Sequence, residues 1–285
     1  MMQDIRDSIF REHLDEIYTG KILPHREGIL SGAEQAIAAA KQIGMAVTKE
    51  PTEGELLRPG RPVMVVEGTP KQMAILEDTA IGLIAKTSGI ATSANIFQQT
   101  AGNSFKIVCG SWKKVNASLK ESFRKAIVTG GCKCRMLDEP MVYLDKNYVI
   151  MLGGVDAAIK AAKGDPFLAN RKLVVQAKGI VDELGEECWM IASSKADYLY
   201  LDTGNVEDLN VLADAMQYAE HIPKIAFGGN VTLETIEKIK AYSIDFVGVG
   251  RAIIDAPMID MSLDVIPKKN QHQCTCHSQD HSEHL

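Results

Sequence analysis

The chain has 285 residues and a formal net charge of −6, and 46% of its residues are hydrophobic and 24% charged. This is the composition of a globular protein, and the acidic balance argues against nucleic acid or an anionic membrane as a partner. No apolar run approaches the roughly 20 residues of a membrane span, the charged first residues are unlike a signal peptide, and six cysteines without such a peptide predict reduced thiols and a cytoplasmic location.

The amino-terminal part of the chain predicts a small α+β domain over residues 1–105. Residues 1–20 predict an amphipathic helix that packs on its own domain or on a second subunit, and its apolar residues near one face are Ile5, Ile9, Leu14 and Ile17. A helix is predicted from Ser31 to Ile43, with Ser31 as its N-cap and Glu34 in the capping-box position. Short strands, separated by glycine and proline, follow within 45–47, 54–57 and 62–68.

A long apolar stretch from Ala74 to Thr100 predicts one helix, or two helices if Gly89 breaks it. Strand and helix patterns then alternate over residues 106–264, which predicts a domain of repeated β/α units. Its strands fall at 106–109, 173–177, 198–202, 225–227 and 245–250. The helix after the second of these strands is predicted to have a solvated acidic face with Glu183, Glu186 and Glu187. Residues 265–285 either return to the first domain or form a tail.

Glycine-rich turns end the last two predicted strands. The first turn is Gly228-Gly229-Asn230, before a helix with Thr232 as its N-cap, and the second carries Gly248 and Gly250. Parallel strands place both turns on the same, carboxyl-terminal side of the sheet. Backbone N–H groups exposed there suit a phosphate. Alternatively, the glycines serve only to make tight turns.

The sequence FGGN at 227–230, followed by DFVGVG at 245–250 and APMIDMSLDV at 256–265, resembles the carboxyl-terminal signature of the type II phosphoribosyltransferases. That family holds the quinolinate and nicotinate phosphoribosyltransferases, and the resemblance covers residues 20–267. It implies an α/β fold with a small α+β sandwich domain and an incomplete (β/α) barrel, in a homodimer or larger homo-oligomer whose site borders the partner subunit. It also implies transfer from phosphoribosyl pyrophosphate to a nitrogenous base, with Mg²⁺.

The resemblance also assigns roles to individual positions. Lys113 or Lys114 stands at the position of the catalytic lysine, with an ambiguity of one residue, and Arg135 contacts the pyrophosphate. From the residues alone, it is equally plausible that the two lysines are simply solvated surface groups. Asp202 holds the ribose hydroxyls and meets Mg²⁺ through the substrate. A carboxylate at a strand end suits this role or that of a helix N-cap. The other substrate-binding positions are Asn147, Gln176, Gly228, Gly229, Asn230, Gly248 and Gly250.

Several positions depart from the pattern of the family. Asp78 stands where the family has an arginine, Cys134 where it has a histidine, and Gln176 where it usually has a glutamate. The pair Asp145-Lys146 reverses the order of the family, and Tyr148 replaces a histidine. These departures imply a base with fewer carboxylates than quinolinate, such as nicotinate or a related pyridine carboxylate. The alternative is a non-catalytic relative that binds a ribose phosphate and carries a metal-binding carboxyl-terminal tail.

Two cysteine-containing stretches have a candidate role in metal binding. In a strand, Cys132 and Cys134 would lie on one face, where they either bind a metal or remain simple thiols. In the polar tail, Cys274, Cys276 and His277 are candidate metal ligands. The alternative for the tail is a disordered segment.

Overall fold

The structure is a computed structural model that describes residues 4–217 and 219–267. The described residues form two compact units: the first contains those up to Thr92 and those from Ala256 to 267, and the second runs from Ser93 to Asp255. The predicted boundaries were 105 and 264; the first observed boundary lies within the helix Pro70–Ala101, and the second comes earlier because the strand Met261–Val265 pairs with the first sheet. None of the described helices combines the length and apolar character needed to cross a bilayer.

In chain order, the helices are α1 (Ile5–Ile9), α2 (Ala33–Gln42), α3 (Pro70–Ala101), α4 (Lys120–Thr129), α5 (Lys146–Leu152), α6 (Val155–Gly164), α7 (Leu184–Ser193), α8 (Asp208–Met216), α9 (Leu233–Ile239) and α10 (Arg251–Ile254). The strands are β1 (Tyr18–Pro24), β2 (Gly28–Ile29), β3 (Ala46–Lys49), β4 (Leu56–Leu57), β5 (Met64–Gly68), β6 (Lys106–Val108), β7 (Met141–Leu144), β8 (Lys172–Ala177), β9 (Tyr198–Leu201), β10 (Lys224–Phe227), β11 (Phe246–Gly248) and β12 (Met261–Val265). Short 3₁₀ helices lie at Ser111–Lys114, Ala117–Leu119 and Pro166–Leu168.

The first unit is built on an antiparallel sheet with the strand order β12-β1-β5-β3. Strand β1 is an inner strand, because Gly20 pairs with Val265 on one side and with Val66 on the other. The sheet shares one apolar core with α2 and the first part of α3, and the core includes the fully buried side chains of Ile22 and Leu76. Strands β2 and β4 form a separate two-stranded pair. The predicted short strands correspond to β3, β4 and β5.

The amino-terminal helix is much shorter than predicted. In the described residues it is α1 alone, and the chain enters β1 at Tyr18. The apolar side chains that were expected to pack on one face are all exposed: Ile5, Ile9, Leu14 and Ile17. The prediction of a helix through residue 20 is therefore wrong, because residues 10–15 form turns and a bend instead and residues 18–20 belong to β1.

The cap of α2 also differs from the prediction. The helix begins at Ala33, and its N-cap is Gly32 rather than Ser31. The carboxylate of Glu53 accepts hydrogen bonds from the N–H groups of Gly32 and Ala33 at 3.0 and 3.1 Å. A carboxylate from a different part of the chain thus satisfies the first donors of the helix, which a local capping motif cannot reveal.

Helix α3 is one continuous helix of 32 residues, so Gly89 does not break it. Instead, the absence of a side chain at Gly89 allows another segment of the chain to pass close to the helix. A β-carbon at this position would overlap the carbonyl oxygen of Pro257 and would lie 3.3 Å from the α-carbon of Met258. The chain segment that leads into β12 therefore crosses α3 at Gly89.

The second unit contains a parallel sheet with the order β6-β11-β10-β9-β8-β7. A further segment pairs with the free side of β6, since Cys109 N–H donates to the Lys133 carbonyl at 2.8 Å and Lys133 N–H donates to the Ile107 carbonyl at 2.9 Å. The strands thus follow chain order around a (β/α) barrel that is open between the Lys133 segment and β7. The predicted fold class is confirmed.

The barrel interior is an apolar cluster to which every strand contributes. Its members recur at every second residue along the strands, as expected for side chains on one face. They are Val108, Met136, Leu137, Met141, Tyr143, Val174, Tyr198, Tyr200, Ala226 and Phe246. The next inward positions therefore form the carboxyl-terminal rim of the barrel.

Candidate active site

The carboxyl-terminal rim carries one residue from each strand, two positions beyond the interior cluster. These residues are Gly110, Asp145, Gln176, Asp202, Gly228 and Gly248. Backbone hydrogen bonds join the adjacent strand ends, because Gly228 N–H donates to the Leu201 carbonyl and Gly204 N–H donates to the Gly228 carbonyl, both at 2.9 Å. Asp202 therefore stands on the same rim as both glycine turns.

The first glycine turn requires its glycines for two distinct physical reasons. Gly229 has a φ of +106°, and a β-carbon there would lie 2.5 Å from the Gly204 nitrogen. Asn230, the next residue, is also left-handed with a φ of 51°, a conformation that asparagine tolerates better than most residues. Among the residues that the structure describes, no acceptor is found for the N–H groups of Gly229 and Asn230, so these donors are available to a ligand.

The side chain of Tyr200 fills the space beside the two turns. A β-carbon on Gly228 or Gly248 would overlap its hydroxyl oxygen and would lie 2.9 or 3.2 Å from its Cζ. Its ring meets that of Tyr143 edge to face at 6.0 Å. Burial is the main cause that raises the pKa of Tyr200, so the phenol remains protonated at neutral pH and is a neutral hydrogen-bond donor. Sequence reasoning missed this residue, although its spacing from Asp202 places both on one face of β9.

The Asp202 carboxylate is held by two side chains from β8 and the residue that follows it. Gln176 Nε2 donates to Asp202 Oδ2 at 2.6 Å, and Lys178 Nζ donates to the same oxygen at 3.1 Å and to the Asp202 carbonyl at 2.6 Å. Gln176 Oε1 in turn accepts from the Lys146 N–H at 2.6 Å. Helix α8 has Glu207 as its N-cap, so the alternative that Asp202 caps a helix is wrong.

Lys178 is a second residue that the sequence analysis missed, and a buried carboxylate fixes its loop. Glu187, on α7, is only 1% exposed. Its Oε2 accepts from the N–H groups of Lys178 and Gly179 at 2.7 and 2.8 Å, and its Oε1 accepts from that of Ile180 at 3.2 Å. The prediction that Glu187 belongs to a solvated face is therefore wrong, since the loop after β8 uses it as an internal acceptor.

The predicted cationic residues follow β6 and the segment beside it. Lys113 and Lys114 are exposed in the 3₁₀ helix Ser111–Lys114. Trp112 Nε1 donates to the Cys134 carbonyl at 2.8 Å, and this bond joins the 3₁₀ helix to the residue before the exposed Arg135. All three cations are thus at the end of the barrel where strands β6 to β11 terminate.

Asn147 lies in the first turn of α5, near the end of β7. Its side chain is exposed, and its N–H donates to the Asp145 carboxylate at 2.8 Å. Asp145 also accepts from the Tyr148 N–H at 3.3 Å, so it is the N-cap of α5. The exchange of Asp145 and Lys146 relative to the family pattern therefore places an aspartate where it caps α5.

The described cysteines are free thiols. Cys132 is buried and its Sγ donates to the Ala94 carbonyl at 3.1 Å, whereas Cys134 is half-buried. Burial raises the pKa of Cys132 to about 12. Within residues 4–217 and 219–267, no three His, Cys, Asp or Glu side chains are grouped so that they could hold a metal. The tail candidates Cys274, Cys276 and His277 lie outside the described residues.

Comparisons with known proteins agree with this architecture. The model of the quinolinate phosphoribosyl transferase carboxyl-terminal domain matches residues 90–264, and that of the amino-terminal domain matches residues 7–88. A probable nicotinate-nucleotide pyrophosphorylase (carboxylating) of Methanothermobacter thermautotrophicus is 21% identical over 249 residues, which are 86% of this chain and 87% of the relative. The human nicotinate-nucleotide pyrophosphorylase (carboxylating) is 24% identical over 244 residues, with 85% and 80% covered.

A solved structure has the same fold over nearly the whole chain. The nicotinate-nucleotide pyrophosphorylase from Francisella tularensis superposes with a TM-score of 0.75 at 20% identity, covering 93% of this chain and 91% of that one. The two family models together span almost all described residues of both units. The chain therefore belongs to the quinolinate phosphoribosyltransferase family of enzymes.

Proposed function

We propose that this chain joins phosphoribosyl pyrophosphate to a ring nitrogen of a pyridine carboxylate, as a step in NAD biosynthesis. The observation that carries the proposal is the position of Asp202 on the same barrel rim as Gly228, Gly229 and Gly248. That rim combines a carboxylate with the turn Gly228-Gly229-Asn230, in which the N–H groups of Gly229 and Asn230 have no acceptor among the described residues. The names of the relatives, nicotinate-nucleotide pyrophosphorylases, support this substrate class.

Each part of the substrate has a matching group on the rim. The 5′-phosphate would bind the N–H groups of the turns at Gly228-Gly229-Asn230 and at Gly248 and Gly250. Asp202 would accept hydrogen bonds from the ribose hydroxyls, with Gln176 beside it. Asn147 would contact the base or ribose from the start of α5.

Catalysis in this scheme depends on the placement of charge. As the bond to pyrophosphate breaks, positive charge develops on the ribose and negative charge on the leaving group, and fixed charges of opposite sign lower the barrier. Lys113 or Lys114, together with Arg135, would neutralise the pyrophosphate. The carboxylate of Asp202 would lie near the ribose cation.

Mg²⁺ enters this proposal as part of the substrate, because phosphate oxygens and water are ligands that it prefers. The described residues contain no group of three His, Cys, Asp or Glu side chains that could hold a metal, and Asp202 Oδ2 already accepts from Gln176 and Lys178. We therefore assign Asp202 a contact with Mg²⁺ only through the substrate.

We propose nicotinate or a related pyridine carboxylate as the base. The family arginine is replaced by Asp78, which is exposed and paired with Arg6, and the family histidines are replaced by Cys134 and Tyr148. Fewer cations suit a base with fewer carboxylates.

Pyrophosphate release would be measured with nicotinate, quinolinate and other pyridines, and we expect nicotinate to give the highest rate. A higher rate with quinolinate would contradict this choice of base.

Binding is tested by calorimetric titration with phosphoribosyl pyrophosphate and Mg²⁺. We expect Asp202→Ala to weaken binding by about tenfold or more, since a charged hydrogen-bond acceptor is lost. Asp156→Ala is the matched control, because Asp156 is an exposed acid on α6 that pairs with Lys160. No binding of any ribose phosphate by the unaltered protein would refute the proposal. Binding without pyrophosphate release for any base would instead support the non-catalytic alternative.

We further propose that the protein works in the cytoplasm as a homodimer. The resemblance motivates the dimer, and the six cysteines, taken as reduced thiols, motivate the location. Light scattering after size-exclusion chromatography would measure the mass, and a monomer of 31.1 kDa at micromolar concentration would contradict the dimer.

A further inference from the structure

Lys178 forms an internal ion pair at the centre of the candidate site. Its ammonium lies 3.1 Å from Asp202 Oδ2, and the two side chains are 33% and 27% exposed. The same oxygen accepts from Gln176 Nε2 at 2.6 Å. The Lys178 ammonium and the Gln176 amide N–H thus both donate to Oδ2, so this oxygen is occupied by hydrogen-bond donors rather than by a cation.

The other rim carboxylate near Asp202 among the described residues, Asp145, is already used as the N-cap of α5, where it accepts from the N–H groups of Asn147 and Tyr148. Gln176 stands where a glutamate is usual in the family, and its amide oxygen already accepts from the Lys146 N–H. A divalent ion bound by the protein prefers carboxylate oxygens. Asp202 with an amide and an ammonium is therefore a poor ligand set for Mg²⁺, and the net charge of the Asp202–Lys178 pair is near zero.

The position of Lys178 is built into the fold. Its own N–H group and those of the next two residues donate to the buried carboxylate of Glu187, which is 1% exposed. Charge-assisted hydrogen bonds to a buried carboxylate hold a loop firmly. The backbone from which the Lys178 side chain extends is thus fixed by α7, and the side chain itself is held by its hydrogen bonds to Asp202.

We propose that Lys178 is a substrate-binding residue that takes the place of a protein-bound divalent ion beside Asp202. A lysine ammonium has three N–H donors, and two of them bond to Asp202. The third has no acceptor among the residues that the structure describes, and it is available to a ribose or pyrophosphate oxygen. For Asp202 Oδ1, the described residues provide no donor, so this oxygen is available to a ribose hydroxyl. The inference rests on the proposed function and predicts substrate binding without metal.

Calorimetric titration with phosphoribosyl pyrophosphate, in EDTA and in excess Mg²⁺, tests the inference. For the unaltered protein we expect affinities in the two buffers to agree within about tenfold. Lys178→Met should lose about tenfold or more of the affinity in EDTA, because a charged hydrogen bond is removed, and Lys178→Arg should restore most of it. Lys172→Met is the matched control, since Lys172 pairs with Asp197 at 2.9 Å at the opposite end of β8, and its affinity should be unchanged.

Lys178→Glu provides a readout that does not depend on substrate. Two carboxylates would then stand together, and we expect Mn²⁺ binding, measured by electron paramagnetic resonance of the free ion, to appear in this variant and not in the unaltered protein. The inference is overturned if the unaltered protein binds phosphoribosyl pyrophosphate only with Mg²⁺ and Lys178→Met behaves identically. Absence of binding in both buffers would refute the proposed function itself, so the two failures are distinguishable.

Discussion

The hydroxyl of Tyr200 occupies the space that a side chain on Gly248 would need. Gly248→Ala should therefore force the tyrosine out of place and destabilise the fold by about 1–3 kcal/mol, as overpacking typically does. The measurement is the free energy of unfolding from urea denaturation. Gly110→Ala is the control on the same rim, because a β-carbon there would meet nothing within 4 Å.

A second substitution separates this clash from other effects of the alanine. Tyr200→Phe removes the overlapping oxygen and leaves Cζ 3.2 Å from the new β-carbon. The double variant should therefore recover part of the stability that Gly248→Ala loses. Strict additivity of the two single effects would show that the hydroxyl is not the obstacle.

Two glycines of α3 should respond to alanine in opposite directions. Gly89→Ala would drive a β-carbon into the Pro257 carbonyl, whereas Gly82→Ala would meet nothing within 4 Å. We expect Gly82→Ala to raise the unfolding free energy by about 0.5–1 kcal/mol, since alanine is the better helix former, and Gly89→Ala to lower it by about 1–3 kcal/mol. Thermal and urea unfolding would measure both, and equal effects would contradict the close crossing at Gly89.

The buried thiols should make stability decrease at high pH. Burial raises the pKa of Cys109 to about 11 and that of Cys188 to about 12, from an ordinary value of 9.0. At a pH between the ordinary pKa of 9.0 and the raised pKa of the folded protein, each of these thiols is more protonated in the folded state than in the unfolded state. The free energy of unfolding therefore has its full contribution from these thiols below pH 9, and it decreases as the pH rises toward 11 or 12.

Removal of one thiol tests this linkage. Cys188→Ala should reduce the slope of unfolding free energy against pH above pH 9 by about 1.4 kcal/mol per pH unit. Only the slopes are compared, because the alanine also leaves a small cavity. An unchanged slope would show that Cys188 ionises in the folded protein as it does in the unfolded chain.

The positions of Asp202 and the two glycine turns could be predicted from the sequence for a simple reason. Apolar strand patterns that end in glycine or an acid recur along the second unit, and parallel strands put all such ends on one side. The residues that follow β9, β10 and β11 therefore had to share a rim. The residue that caps α9, Thr232, was also predictable, because its hydroxyl bonds to a residue only three positions away.

The roles of Glu187 and Lys178 could not be predicted in the same way. Glu186 and Glu187 are neighbours on α7, and only the second is buried, because backbone N–H groups of the loop after β8 require an acceptor. Periodicity indicates which face of a helix is apolar, and it does not show which loop lies over that face. The same limit explains why Glu53 was not expected to cap α2.

The pairing of β1 with β12 has a consequence for synthesis on the ribosome. Gly20 emerges early, and its partner Val265 is translated only after the whole barrel. Until then a nascent β1 has one open edge, of the kind that pairs with other chains. The first unit can thus complete its sheet only after translation of the barrel, and until then that edge is a site where an unfinished chain could misassemble.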